Sequence, residues 1–510
     1  MAIGKVYLIG AGPGDPGLLT LKGRDCLARA DVVIYDYLAN PLLLDYAPAT
    51  AEKLYVGKVR GNHSLPQEET NALLLEKARA GLQVVRLKGG DPYIFGRGGE
   101  EAVFLREHGV PFEVIPGVTA GFAAAAYAGI PLTHRDVTAS LALLTGHDHP
   151  ERKLSSFDWE KLATGLGTLI FYMGMSNLKL ISDALIKHGR PAATPVAVVQ
   201  WATLPRQQTL VGTLKTIAED VARAGVKPPA VIIIGEVVKY REELRWYDNL
   251  PLFGKRFLIT RPRAQAAGFA RLLQEQGAET ICIPTIEIAP PEDLRPLDAA
   301  VRRIGDFDSL ILTSTNGVEA FFARLAANRL DLRNLAGVQL VAVGPKTAAA
   351  IEAHGLRPDL VPEKFQAEGV VEELLAQGVA GKRILYPRVE IARTLIIDKL
   401  QEAGAEVVAP LAYRTIRPKG QEEMIRRLLS AGELDAICFS SSSTFDNLLA
   451  MFGDELKTLQ GRTEFFSIGP LTSETIRKHG FAVALQAEKW TIDALVAAMV
   501  DYYNKNRGQN

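Results

Sequence analysis

Short runs of apolar residues alternate along the chain with amphipathic stretches and with turns rich in glycine and proline. In the N-terminal half, six runs predict buried strands: VYLIGAG, ADVVIYD, VVRLKGGD, LIFYMG, VAVVQ and AVIIIGEVV. Buried strands that alternate with helical segments are typical of a mostly parallel α/β fold. A break between two α/β sub-domains is expected in the segment EVIPGVTAG (Glu113 to Gly121), which proline and glycine punctuate.

The second half of the chain contains an internal repeat. KRFLITRPR, starting at Lys255, aligns with KRILYPRVE, starting at Lys382, at an offset of 127 residues. The same offset aligns FDSLILTSTNG with LDAICFSSSST, and VAVGPKT matches FSIGPLT at nearly that offset. Two copies of one unit predict two similar doubly wound lobes, which face each other across a cleft lined by the carboxyl-end loops of their strands.

Length and charge narrow the classes of function. A chain of 510 residues is too long for one core, so two or more domains are expected. The 58 Lys plus Arg residues balance 58 Asp plus Glu residues, which argues against a nucleic-acid partner or an anionic membrane surface. Tyr240 to Arg256 is charged, lacks a strand period and is predicted to link two domains.

Cysteine usage and the N-terminus favour a cytoplasmic protein. The three cysteines, Cys26, Cys282 and Cys438, lie far apart, so neither a zinc site nor a disulfide framework is expected. The segment MAIGKVYLIG does not resemble a signal peptide. The apolar run GFAAAAYAGIPL is too short to span a bilayer. We therefore expect no metal and no membrane segment.

A glycine-rich loop, GAGPGDPGLLTLK, follows the first predicted strand. Gly10 and Gly12 fit the dinucleotide-binding pattern G-x-G-x-x-G, but Asp15 replaces the third glycine. Pro13 and Pro16 stand where the phosphate-binding helix would begin. The loop is therefore not expected to cradle a phosphate.

Four further polar loops follow in order: YDYL with Asp36, YVGKVRGNHSL with Lys58, RLKGGDPYIFGRGGEE, and PLTHRD. Each has an ordinary structural interpretation. Asp36 suits a helix N-cap, Lys58 a solvated surface, and the charged residues after GRGG a solvated helix face. Five such loops on one α/β block favour a ligand site instead.

These loops, together with PGVTAG, resemble the tetrapyrrole methylase family, and within it the uroporphyrinogen-III C-methyltransferases, over roughly residues 3 to 247. The resemblance implies two α/β sub-domains around a cleft that binds S-adenosylmethionine. It also implies transfer of two methyl groups to uroporphyrinogen III, which gives precorrin-2. A homodimer through this half is a further implication.

The resemblance also assigns residues. It makes Asp36 the proton acceptor and Lys58 its partner acid. It places substrate carboxylates at Arg97, His134 and Arg135. Contacts to the methyl donor are implied for Pro13, Gly89, Gly90, Asp91, Ile94, Thr119, Ala120, Met173, Ala202 and Ala230. Met173 has an alternative interpretation as a methionine that fills a gap in the core.

The second half resembles the uroporphyrinogen-III synthase family over roughly residues 255 to 503, through the two-lobed repeat and the order ITRP, TSxNG, VGxxT, AYRT, SSS, IGPxT. This implies cyclisation of hydroxymethylbilane without a cofactor. Tyr413 falls on the tyrosine that assists departure of the hydroxyl, and otherwise suits packing at a strand edge. Substrate contacts are assigned to Arg261, Thr347, Ser441 and Thr472, although N-capping is the alternative for the hydroxyls.

The two resemblances give the expected domain boundaries. The methyltransferase covers 1–248, with sub-domains 1–115 and 116–248, and a linker covers 249–254. The synthase covers 255–503, with lobe one at 255–290 plus 417–503 and lobe two at 291–416, and 504–510 form a tail. Two alternatives stay open: a methylase for another tetrapyrrole intermediate, and a C-terminal half that acts as a ligand-binding regulatory module.

Overall fold

The computed structural model describes residues 3–57, 66–146, 157–261, 263–283, 287–390, 394–416, 422–459 and 462–507. The predicted α/β fold is confirmed, because helices alternate with strands along both halves of the chain. Among the helices of these segments, none has the length and apolarity needed to cross a membrane.

The first sheet is entirely parallel, in the strand order β3-β2-β4-β1-β5. Its strands β1, β2 and β4 carry buried side chains on both faces, as expected for a parallel sheet covered by helices. The elements are β1 (Val6–Gly10), α1 (Leu21–Leu27), β2 (Val32–Tyr35), β3 (Glu52–Tyr55), α2 (Gln67–Arg79), β4 (Val84–Lys88), α3 (Gly98–Glu107) and β5 (Phe112–Ile115).

The second sheet has the order β6-β7-β10-β8-β9, and among its described strand pairs only β6 and β7 are hydrogen-bonded in parallel. The expectation of mostly parallel strands is wrong here. β8 turns back into β9 as a hairpin, and β10 inserts antiparallel between β7 and β8. The elements are α4 (Ala120–Tyr127), β6 (Leu141–Thr145), α5 (Trp159–Thr164), β7 (Thr168–Tyr172), α6 (Leu178–Lys187), β8 (Pro195–Gln200), β9 (Gln208–Thr213), α7 (Ile217–Ala224) and β10 (Ala230–Ile234).

The segment between the two halves is packed rather than free. After helix α8 (Arg241–Leu244), the buried ring of Tyr247 contacts Tyr127 on one side and Phe253 on the other, at centroid distances of 4.8 and 5.3 Å. Leu252 is fully buried in the same apolar cluster as Phe257 of the second half. The segment therefore contacts both halves.

Lobe one contains a parallel sheet in the order β12-β11-β20-β21-β22. Its elements are β11 (Arg256–Ile259), α9 (Arg263–Glu275), β12 (Glu279–Cys282), α15 (Glu422–Ser430), β20 (Ala436–Phe439), α16 (Ser442–Phe452), β21 (Glu464–Ser467), α17 (Pro470–Lys478), β22 (Leu485–Gln486) and α18 (Ile492–Arg507).

Lobe two contains a parallel sheet in the order β15-β14-β16-β18, with Leu360 bridging to Val341 beside β15. Its elements are α10 (Arg295–Arg302), β14 (Ser309–Leu312), α11 (Thr315–Ala327), β15 (Gln339–Ala342), α12 (Pro345–Ala353), α13 (Ala367–Gln377), β16 (Arg383–Leu385), α14 (Leu395–Glu402) and β18 (Glu406–Val408). A small sheet, β13 (Glu287–Ala289), β19 (Leu411–Ile416) and β17 (Arg388–Val389), lies where the chain passes between the lobes.

The two sheets have equivalent strand orders, which confirms the repeat. Strands β12, β11, β20 and β21 of lobe one correspond to β18, β16, β14 and β15 of lobe two. The first copy supplies β11 and β12 to lobe one but β14 and β15 to lobe two. Each lobe is therefore assembled from half of each copy. The domain boundaries given above remain predictions.

Candidate functional site

The glycine loop after β1 packs directly on the loop after β4. Gly12 and Gly90 exchange two backbone hydrogen bonds of 3.2 and 2.7 Å. A Cβ on Gly10 would lie 2.6 Å from the Gly90 oxygen, and a Cβ on Gly117 would lie 2.3 Å from the same oxygen. These glycines therefore allow close approach of three loops.

Asp91 fastens these loops together. Its Oδ1 accepts a hydrogen bond from the Tyr93 amide at 2.8 Å, and its Oδ2 accepts one from the Gly117 amide at 2.9 Å. Gly90, at φ 69°, leaves space: a Cβ there would meet the Ala120 nitrogen only at 3.6 Å. Residues 89–91 and 119–120, assigned to the donor site from sequence, thus lie together.

A tyrosine that the sequence analysis missed holds the other side of this group. The buried hydroxyl of Tyr172 lies 2.8 Å from Thr119 Oγ1 and accepts a hydrogen bond from the Gly121 amide at 2.9 Å. Burial raises the pKa of Tyr172. The available signal was its position at the end of β7, next to Met173.

Five residues other than glycine adopt left-handed backbone conformations in three loops after β4, β7 and β8: Phe95, Arg97, Met173, Trp201 and Thr203, with φ between 48° and 68°. Such conformations cost energy and cluster at functional sites. Met173 is 52% exposed, so its interpretation as a core methionine is wrong.

The residues assigned to contact the methyl donor have different surroundings in the fold. Ile94, Ala120 and Ala202 pack in one apolar cluster with Val231. The side chain of Ala230 packs in the cluster on the opposite face of the second sheet, so only its backbone could serve the donor site. Pro13 is half-buried in the loop that Gly12 joins to Gly90.

Asp36 follows β2 and is bound by a buried arginine. Its Oδ2 lies 3.1 Å from Arg86 Nη2, and its Oδ1 accepts the Leu38 amide at 3.1 Å. Arg86 and Lys88 both pair with Oε1 of Glu101, at 3.3 and 2.8 Å. Burial lowers the pKa of Lys88, and the charge of Arg86 lowers it further.

Glu101 corrects a prediction. The charged residues after GRGG were expected to form a solvated helix face, and Glu100 does so, paired with Arg97. Glu101 is instead fully buried on the inner face of α3, and among the described residues its Oε2 has no hydrogen-bond partner. It anchors two cations of β4, and Arg86 connects it to Asp36.

Asp15 joins the two sub-domains. It accepts the Gly17 amide at 2.7 Å, which caps the following turn, and it accepts the Tyr127 hydroxyl at 2.6 Å. Its own amide donates to Thr203 Oγ1 at 2.9 Å. Burial, together with this hydrogen bond to Asp15, raises the pKa of Tyr127, so the hydroxyl keeps its proton and donates.

The assigned substrate-binding residues are only partly brought together. Lys58 lies outside the described residues. Arg97 is exposed beside the donor loop. His134 stacks on Tyr240 at 4.4 Å in a loop that leads into the amino end of β6, whereas Met173 follows the carboxyl end of β7. Because β6 and β7 are parallel, His134 and Arg135 lie at the opposite edge of the second sheet.

In the second half, Tyr413 lies on β19, between the lobes. Its hydroxyl is 3.0 Å from the Oγ of Ser314, which caps α11 at the end of β14. Ser314 also accepts the Gly317 amide at 3.0 Å. The sequence analysis did not assign Ser314 to the site.

The other assigned residues of this half divide between the lobes. Arg261 and Ser441 follow the neighbouring parallel strands β11 and β20, at one edge of lobe one. Burial lowers the pKa of Arg261. Thr472 lies in α17 of the same lobe and Thr347 in α12 of lobe two, and each is 4% exposed. Ser441 caps α16 as the alternative expected.

Comparison with known proteins supports both halves. Residues 5–218 match the family model of Tetrapyrrole (Corrin/Porphyrin) Methylases, and residues 267–497 match that of Uroporphyrinogen-III synthase HemD. The Porphyrin biosynthesis protein HemD of Ruminiclostridium josui is 37% identical over 502 residues, which is 98% of this chain and 98% of that protein.

Further relatives match the N-terminal half. The Uroporphyrinogen-III C-methyltransferase of Bacillus subtilis is 47% identical over 48% of this chain and 96% of its own length. The Siroheme synthase of Thiobacillus denitrificans is 50% identical over 48% of this chain and 51% of its length. A solved Thermus thermophilus Uroporphyrin-III C-methyl transferase, complexed with S-adenyl homocysteine, is 44% identical, covering 46% of this chain and 99% of that one, at a TM-score of 0.41.

Proposed function

We propose how this chain works from the premise that it belongs to the family in which a tetrapyrrole methylase is joined to a uroporphyrinogen-III synthase. The chain is a two-domain tetrapyrrole enzyme with both activities. Its C-terminal half closes hydroxymethylbilane into uroporphyrinogen III, and its N-terminal half methylates that product to precorrin-2. One half therefore makes the substrate of the other.

One observation carries the proposal for the N-terminal half. The loop that bears Asp36 touches the loop assigned to the methyl donor, because a Cβ on Gly89 would lie 2.5 Å from the Cβ of Leu38. Strands β2 and β4, which end at these loops, are parallel neighbours. A proton acceptor and a donor cradle at the same sheet edge suit methyl transfer.

S-adenosylmethionine fits this cradle, and when bound it supplies an electrophilic methyl group. The open space above Gly90 and the backbone of Thr119 and Ala120 suit contacts through main-chain groups. Tyr172 fixes the Thr119 side, and the exposed Met173 offers an apolar contact.

Asp36 completes the reaction. The electron-rich pyrrole carbon gains a methyl group, and the ring must then lose a proton. Asp36 accepts that proton through the carboxylate that Arg86 holds in place. Lys58, as partner acid, stays a proposal that the resemblance alone supports.

In the C-terminal half, the pyrrole nitrogen drives loss of the hydroxyl from the end of the bilane. Tyr413 donates its proton to the departing oxygen, so that water leaves, and its hydrogen-bond partner Ser314 fixes the direction of the phenol. The remaining rate acceleration comes from binding the bilane in a folded conformation that holds its two ends close together.

One assay tests both halves. The purified chain is given hydroxymethylbilane and S-adenosylmethionine, and the product mass and ring isomer are followed. A dimethylated type III product is expected. Unmethylated type I product would contradict both activities, and type III product without methylation would assign the N-terminal half another substrate.

The regulatory alternative is tested separately. A C-terminal half that only binds a ligand would bind hydroxymethylbilane without raising the type III share above the spontaneous reaction. Tyr413→Phe is expected to slow ring closure by about 10²-fold while methylation of supplied uroporphyrinogen III is unchanged. Unchanged ring closure would remove Tyr413 from the mechanism.

Two further proposals remain. A homodimer through the methyltransferase half rests on the family resemblance and is measured by light scattering on the eluting protein, where a monomer mass contradicts it. Residence in the cytoplasm rests on the cysteine usage and the N-terminal sequence, and recovery of the protein outside the cytoplasmic fraction on cell fractionation would contradict it.

A further inference from the structure

Phe365 and Trp490 occupy equivalent positions in the two copies of the repeat. They are separated by 125 residues, which is also the spacing between β15 and β21, between α12 and α17, and between the starts of α13 and α18. Each aromatic residue stands two positions before the first residue of its helix. The match therefore holds in structure as well as in sequence.

Both rings lie at the carboxyl edge of their sheet. Phe365 follows Leu360, which bridges to β15, and Trp490 follows β22, which pairs with β21. The chain then continues past the sheet and places each residue against the turn that starts the preceding helix, α12 in lobe two and α17 in lobe one. That turn begins with Gly344 in lobe two and with Gly469 in lobe one.

The aromatic rings explain these two glycines. Their φ angles, −174° and 177°, are extended values that any residue adopts, so backbone conformation does not require glycine. Space favours glycine: a Cβ on Gly469 would lie 2.7 Å from Trp490 Cδ1, too close unless the indole moves, and a Cβ on Gly344 would make a tight contact of 3.2 Å with Phe365 Cβ. Each glycine makes room for the aromatic residue beside it.

Packing does not account for the rings. Phe365 is 58% exposed and Trp490 is 71% exposed. A hydrophobic residue just before an N-cap often packs on the fourth helical residue, but such a contact would bury the ring. Burial of apolar surface stabilises a fold by roughly 25 cal/mol per Å². The area of these two rings that stays in water contributes nothing of this kind. Their presence in both copies points to a ligand.

We propose that Phe365 and Trp490 bind the flat faces of pyrrole rings in the linear tetrapyrrole, one ring from each lobe. The proposal rests on the synthase activity of this half. The substrate is a chain of four similar rings, so a repeated site on the protein suits a repeated unit of the ligand. Aromatic side chains stack on such electron-rich rings in offset or edge-on geometry. Binding both parts of the bilane would bring its two ends together for closure.

The test is steady-state kinetics of ring closure with hydroxymethylbilane in the full chain. Phe365→Ala and Trp490→Ala are each expected to raise KM roughly threefold to tenfold, with a smaller effect on kcat. The double variant should raise KM by about the product of the two. Trp490→Phe should restore most of the affinity, because it keeps a stacking face.

Controls separate binding from folding. Leu375→Ala removes an exposed apolar residue from the far end of α13 and should leave KM unchanged. Methylation of supplied uroporphyrinogen III by each variant reports on the integrity of the other half. The melting temperature reports on the fold. If an alanine variant has a lowered melting temperature, KM is measured instead in Trp490→Phe or Phe365→Tyr, which keep an aromatic ring for stacking.

The outcomes are distinct. A KM within twofold of the parent in both alanine variants overturns the proposal, as does a loss confined to kcat with a lowered melting temperature. A parent chain that makes no type III product contradicts the synthase activity instead.

Discussion

At the residue scale, one buried glutamate positions the proposed proton acceptor. Glu101 holds Arg86, and Arg86 holds Asp36. The family resemblance assigned Asp36 as the acceptor, and its position directly after a buried strand agrees with a ligand-binding edge. The sequence could not predict Glu101, since Glu100 and Glu101 look alike until the helix is placed against β4.

Replacing Asp36 tests the acceptor. Asp36→Asn keeps the shape but removes the basic oxygen, so methylation of supplied uroporphyrinogen III should fall by about 10²- to 10⁴-fold. Ring closure of hydroxymethylbilane should be unchanged in the same preparation, which serves as the control. Methylation within threefold of the parent would exclude Asp36 as the acceptor.

Replacing Glu101 tests the buried ion pairs. Glu101→Gln takes from Lys88 the anion it pairs with and leaves Arg86 only Asp36, so the free energy of unfolding should fall by about 3 kcal/mol, measured in urea. Glu100→Gln is the matched control, because its partner Arg97 is exposed, and should change stability by less than about 0.5 kcal/mol. Equal stability of the two variants would contradict the role given to Glu101.

At the scale of elements, the apolar runs predicted the positions of strands but not whether neighbouring strands pair in parallel or antiparallel. β1, β2 and β4 were recognised because both of their faces are buried. The antiparallel strands β8 and β10 look the same in sequence, since they too are buried on both faces. The repeat predicted two lobes. That each lobe takes half of each copy followed only from the family resemblance, because pairing between distant strands decides it and the repeat alone does not show it.

The first loop and helix α4 form another unit, joined by the Asp15–Tyr127 hydrogen bond. Tyr127→Phe removes a donor to a carboxylate, so unfolding free energy should fall by about 1.5–3 kcal/mol, measured by denaturant titration. The exposed Tyr46→Phe is the control, with no expected change. A Tyr127→Phe variant as stable as the control would show that the sub-domains are joined by other contacts.

At the scale of the whole molecule, the packed segment around Tyr247 connects two enzymes that catalyse consecutive reactions. Tethering raises the local concentration of a shared intermediate. The fused chain is therefore expected to release less uroporphyrinogen III during coupled turnover than equal amounts of separately produced halves, 1–248 and 255–510, assayed by oxidation of the released intermediate to its porphyrin. Equal release from both preparations would exclude a kinetic benefit of fusion.

The exchange of half-copies between the lobes also sets an order of events during synthesis. Strands β11 and β12 are made early, but β20, which pairs with β11, begins at Ala436. At ordinary translation rates that wait lasts roughly 10–30 seconds. All strands of lobe two are made within it, and they end beside their own entrance, because β13 and β19 are antiparallel neighbours. In the folded protein the chain thus leaves lobe two about 5 Å from where it entered, which is the spacing of paired strands. Strands β11 and β20 are therefore far apart along the nascent chain, but folding of lobe two would bring the segments that carry them close together in space.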